Sequence, residues 1–86
     1  MRVVHKFQIM PDHVTEVLVS TDHKVVLFGV QNRCFFVWIE TRTGQRVEDM
    51  IRRPFKVIGT GMIVPDGWAH CGSVQDGPFV WHLYGP

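Results

Sequence analysis

Short runs in which bulky apolar residues alternate with polar or smaller ones recur from one end of this chain to the other, and they restrict it to a sheet protein. Val3, His5, Phe7 and Ile9 alternate with Arg2, Val4, Lys6 and Gln8, a period of two that puts each set on one face of a strand. Met10-Pro11-Asp12 stops that run, because proline offers no ladder N–H and aspartate favours turns. Thr15, Val17 and Val19 then alternate with Val14, Glu16, Leu18 and Ser20 until Thr21-Asp22-His23 breaks the pattern. Residues 24–31 (KVVLFGVQ) and 33–40 (RCFFVWIE) are apolar on both alternating sets and read as a central hairpin. Strands that are apolar on both faces need cover on both, from another layer of the chain or from another copy of it. Self-association into a homo-oligomer is the expectation that follows.

The one long polar stretch, residues 41–53 (TRTGQRVEDMIRR), places Val47, Met50 and Ile51 at near-helical spacing, so it predicts a short helix near residues 46–53 or a mobile loop. Pro54 is expected to end it, since the residue before a proline is pushed toward extended geometry. A strand over Phe55 to Thr60 follows, then a Pro65-Asp66-Gly67 turn, an extended segment through WAHCGSVQ, and a turn at Asp76-Gly77-Pro78. FVWHLY, residues 79–84, closes the chain as an aromatic strand. Six to seven short strands with frequent turns predict an all-β fold, a small antiparallel sandwich or partly open barrel. With 86 residues there is material for one β domain spanning 1–86 and no second core.

Charge narrows the partners. Nine Lys and Arg against eight Asp and Glu leave a formal +1, too little field to draw the chain onto duplex nucleic acid or an anionic bilayer. No apolar run approaches the roughly 18 residues of a spanning helix, so a soluble, cytosolic protein is expected. Cys34 and Cys71 are 37 residues apart and lack zinc-type pairing, and both read as small, partly buried apolar residues in a reducing compartment. The five histidines form no HxH or HExxH arrangement. Neither a metal nor another cofactor is expected. Without a Gly-x-Ser-x-Gly or paired-carboxylate pattern, the chain is not expected to be an enzyme.

Three local patterns are candidates for binding. Gly59-Thr60-Gly61 lets backbone N–H groups approach an anion while the Thr60 hydroxyl adds a donor; the plain alternative is a strand-ending turn that needs glycine for its dihedrals. Arg52-Arg53, the only adjacent arginine pair, matches phosphate geometry and could grip a nucleotide together with Trp68, Trp81 or Tyr84; its plain alternative is a solvated loop end. In the last strand Phe79, Trp81 and Leu83 share one face and Val80, His82 and Tyr84 the other, so an imidazole and a phenol stand side by side. The candidate ligand-binding set is Arg52, Arg53, Thr60, Gly61, Trp68, Trp81 and His82.

Several segments together also resemble a known group of proteins. His5-Lys6-Phe7, FKVIGTG at 55–61, Pro65-Asp66-Gly67-Trp68, Cys71-Gly72-Ser73-Val74-Gln75 and FVWHLY are similar to those of a small, uncharacterised protein family encoded mainly by tailed bacteriophages and prophages. In that family tryptophan often stands at the position of His5, and histidine often follows the Gly-Thr-Gly where this chain has Met62. Phe55, Gly59, Thr60, Gly61, Pro65, Phe79 and His82 match its motifs, and none of them carries an assigned role. The resemblance implies a phage accessory protein in the host bacterial cytoplasm that works by stoichiometric binding. On that footing the expected function is sequestration of a small nucleotide signal of bacterial antiviral defence, such as a cyclic nucleotide, by a homo-oligomeric sponge. The alternative is a protein-binding inhibitor of a host factor or a structural accessory protein.

Overall fold

The computed structural model describes all 86 residues. Seven strands follow in order: β1 (Arg2–Ile9), β2 (Thr15–Ser20), β3 (Lys24–Gln31), β4 (Cys34–Arg42), β5 (Met50–Gly59), β6 (Ala69–Asp76) and β7 (Phe79–Gly85). They build two antiparallel sheets, β1-β4-β3 and β2-β5-β7-β6. The expected all-β architecture is present, as two layers and not as a closed barrel.

The alternation read from the sequence is what joins the layers. Ile9, Phe28, Phe35, Val37 and Ile39 from the three-stranded sheet meet Val17, Val19, Phe55, Val57 and Leu83 from the four-stranded one in a single buried cluster. Each such side chain contributes about 1.5–3 kcal/mol relative to its exposed state. Phe35 stacks on Phe28 at 5.7 Å between centroids and takes the Trp81 ring edge-on at 5.4 Å, so aromatic packing continues to the end of the sandwich. Along one side β6 approaches β3 so closely that a Cβ at Gly72 would lie 3.0 Å from Phe28 Cβ. The β3–β4 hairpin turns on Asn32 and Arg33, at φ 50° and 64°, the two positive dihedrals that a two-residue turn needs to match strand twist.

Two expectations change. The stretch expected as a helix or loop is divided: Thr41 and Arg42 belong to β4, β5 starts at Met50, and between them only Val47–Asp49 is helical, as a single 3-10 turn. Pro54 therefore lies inside β5, opposite Glu16 of β2. It is tolerated because β7 pairs with β5 only from Lys56 to Gly59, leaving an open side on which a missing N–H breaks no ladder bond. Cover of the β3–β4 hairpin is also one-sided within the chain. Phe28, Phe35, Val37 and Ile39 face the core, whereas Leu27 stays exposed and Phe36 and Trp38 half-buried on the outer face. There the Lys6 ammonium lies 4.5 Å from the centre of the Phe36 ring and bonds to Gln31, so within one chain a snorkelling cation covers part of that surface.

Candidate functional site

β5 and β7 part company at one end of the sandwich, and the molecule's one cleft opens there. Their pairing ends at Gly59 opposite Trp81. Beyond that point β5 turns away through Gly59–Met62, closed by the Met62 N–H donating to the Gly59 carbonyl at 3.1 Å and by the Gly59 N–H donating to Met62 Sδ at 3.1 Å. Gly61 supplies the φ of 88° that this turn uses. β7 runs on through Val80 and Phe79 with β6 on one side and no strand on the other. Gly59, Thr60, Met62, Pro78, Phe79, Val80 and Trp81 line the resulting cleft of about 380 Å³. Its floor depends on glycine, since a Cβ at Gly59 would sit 2.9 Å from the Trp81 ring. Its rim is apolar and wet: Phe79 is 59% exposed, Met62 50% and neighbouring Ile63 88%.

No arginine or lysine lines this cleft. Arg52 and Arg53 stand at the far end of β5, roughly 20 Å away at a strand rise of about 3.3 Å per residue. Arg53 is also committed elsewhere. Its guanidinium lies 4.9 Å from the Phe55 ring centre, reaches Cys71 Sγ at 3.5 Å and donates to His23 Nε2. His23 in turn donates from Nδ1 to the Ser20 carbonyl at 2.8 Å, which leaves Nε2 as the acceptor that Arg53 uses. Arg53 Nε is buried without a partner. Arg52 is exposed on the outer face of its sheet.

Of the seven residues nominated from the sequence, Thr60 and Trp81 meet in the cleft and Gly61 shapes its turn. Trp68 belongs to a separate turn, its N–H donating to the Pro65 carbonyl at 3.2 Å. His82 points away from Trp81, to the opposite face of β7. There it joins a cluster that the sequence reading missed: His70 Nε2 and His82 Nδ1 both lie on Ser73 Oγ, at 2.7 and 2.6 Å. Tyr84 meets the His70 ring edge-on at 5.4 Å. This polar group rests on an open sheet face, with no concavity beside it.

A model of a domain of unknown function, DUF7352, matches residues 1–86. The chain belongs to that family. No curated protein and no solved structure matches it. The two surfaces of this DUF7352 domain therefore have to be read from their own chemistry. The cleft offers aromatic and aliphatic contact, with strand edge beside it and no fixed charge. The His70–Ser73–His82 cluster offers convergent hydrogen-bonding groups and no apolar enclosure. Ser73 was legible in principle: a hairpin pairing Asp76 with Phe79 brings Ser73 opposite His82. His70 was not, because a bulge between His70 and Gly72 moves it one step out of that register.

Proposed function

We propose that this domain is a non-enzymatic protein-binding module whose end cleft receives an extended, apolar segment of a partner protein. The observation that carries this reading is the short stretch of β7, Phe79 and Val80, that continues past the end of β5 with one edge unpaired beside an apolar cleft. An extended segment can add along such an edge through main-chain hydrogen bonds while one large side chain drops into the adjoining pocket. The exposed rings and aliphatic chains of Phe79, Met62 and Ile63 supply the desolvation energy for that contact. A nucleotide-sequestering role draws less support from the same geometry, because its phosphates would need the arginines that stand about 20 Å off along the strand.

The test is selection of peptides from a random linear library on the intact protein, followed by titration of the enriched sequences. Enriched peptides should carry a large apolar residue and bind in the micromolar range, about −8 kcal/mol. Phe79→Asp should weaken them by at least about tenfold and Arg52→Ser should leave them unchanged. A library that yields no binder, together with a cyclic dinucleotide that raises the melting temperature, would reverse the preference in favour of nucleotide sequestration.

A further inference from the structure

The outer face of the four-stranded sheet carries a second feature that the cleft does not explain. Across three strands Lys56, Tyr84 and His70 stand in one row, and His82 and Ser73 are opposite one another in the next. Neither Lys56 nor Arg52 is paired with a carboxylate; the ion pairs of the molecule draw on Arg2, His13, Arg42 and Arg46. The only acidic residue at an outward strand position of this sheet is Glu16, on the β2 edge opposite Pro54. In a chain whose formal charge is only +1, this face collects cations and hydrogen-bond donors without an internal counter-charge.

We propose that His70, Ser73 and His82, with Lys56 beside Tyr84, form a site for a small phosphate-type oxyanion, such as the phosphate of a monoester, whose binding is coupled to proton uptake. With both imidazoles neutral, the Ser73 hydroxyl is fully occupied: one histidine donates to Oγ and the hydroxyl donates to the other. A proton added to the accepting imidazole makes both rings donors to Oγ and frees the Ser73 O–H to turn outward. The added charge sits on one ring, 5.8 Å between centroids from its neighbour, and Lys56 of β5 adds to the positive field. A dianion seated over Ser73 balances that positive charge and accepts a hydrogen bond from the released hydroxyl. Oxyanion and proton therefore each strengthen the binding of the other. Tyr84 stands between Lys56 and His70 and presents a ring edge and a phenol to whatever the phosphate is attached to.

Sulfate is the first probe, because its charge does not change near neutrality, so any pH dependence belongs to the protein. In a heteronuclear NMR titration of the intact domain, the signals of His70, Ser73 and His82 should shift saturably. The apparent affinity should be about tenfold tighter near pH 6 than near pH 8, because proton and oxyanion favour one another. Ser73→Ala and Lys56→Gln should each weaken binding several-fold, and Arg33→Gln, in the β3–β4 turn, should not. Adenosine monophosphate should move the same signals and adenosine should not. Equal affinity at the two pH values, retention of binding in both Ser73→Ala and Lys56→Gln, or equally large shifts around Lys24 and Arg33 would each overturn the proposal. The substitutions lie on an outer face, and thermal denaturation of each variant separates lost binding from lost structure.

Discussion

The two ends of β5 are built from opposite materials. At the Met50 end the layers are tied by polar groups. Thr41 Oγ1 donates to Ser20 Oγ at 2.8 Å and accepts the Ser20 N–H at 2.8 Å, while the Arg42 N–H donates to Ser20 Oγ at 3.1 Å. Both side chains are buried, so the two bonds between Ser20 and Thr41 are made away from competing water. Just outside, Asp22 receives Arg42 Nε at 2.7 Å and Arg2 Nη1 at 3.0 Å, and Arg2 Nε continues to Glu40 at 2.6 Å. At the Gly59 end no charged residue lines the cleft, the chain turns on Gly61, and large apolar groups face solvent. Polar residues close one end of the molecule, and apolar residues line the cleft at the other. Exposed apolar area on a domain this small is costly to keep unless something covers it.

Stability measurements should divide along that line. Thr41→Val removes the acceptor of a buried Ser20 N–H and the donor to Ser20 Oγ, and should cost about 1–3 kcal/mol in urea unfolding. Phe79→Ser at the other end deletes a side chain that is mostly in water and should stay within about 0.5 kcal/mol of the parent. Equal losses at both ends would mean that the Phe79 ring is structural, and the case for a binding rim would fail with it.

What could be seen of this asymmetry in advance depended on whether the signal was local. Apolar runs and turn residues place six of the seven strands closely, because both signals are written into each segment separately, but in β3 and β4, apolar on both sets, they leave the buried face open. Thr41 is hidden in the polar stretch 41–53, since its burial depends on Ser20 across the sandwich. Arg52 and Arg53 are expected to grip a nucleotide with Trp68, Trp81 or Tyr84, but β5 is a strand of ten residues and holds them at the end away from Trp81. The near-helical spacing of Val47, Met50 and Ile51 was outweighed by pairing of Met50–Phe55 with β2, a non-local gain that local periodicity does not contain. The cleft was half visible: Thr60, Gly61 and Trp81 were singled out, while Met62, Pro78 and Phe79 enter it only through the β5–β7 register.

Gly59→Ala probes the hinge of the open end. The new methyl group would meet the Trp81 ring at 2.9 Å and Met62 Sδ at 3.2 Å. The thioether can swing away; the indole is held against Phe35, so the strain falls on the aromatic packing. The expected cost is about 1 kcal/mol, the lower range for an overpacked contact. Three tryptophans contribute to the fluorescence, so the change should be read in a variant with Trp38 and Trp68 replaced by phenylalanine. A shift in Trp81 emission without loss of the cooperative unfolding transition would show that the cleft, and not the fold, is what this glycine protects. No shift at all would mean that the turn is slack enough to absorb a methyl group, and the cleft is less well defined than its lining suggests.

The smallest effect belongs to the closed end and appears only in acid. Hydrogen bonding from Arg42, then from Ser20, with the charges of Arg42 and Arg2 behind them, holds the Asp22 carboxyl down from 3.8 to about 2. A carboxyl with a depressed folded-state pKa binds protons more readily when unfolded, so folding is favoured wherever the unfolded carboxyl is ionised. The contribution is therefore complete above the ordinary value, shrinks as the pH drops below it, and is gone once the folded carboxyl is also protonated near 2. Because the group is exposed, solvent and salt screen its pairing with the two arginines. The melting temperature of the parent should accordingly fall more than that of Asp22→Asn between about pH 5 and pH 2, and high salt should narrow the gap. Parallel melting curves for the two proteins across that interval would mean that Arg2 and Arg42 decorate this end without fastening it, leaving the Ser20–Thr41 bonds alone to close the sandwich.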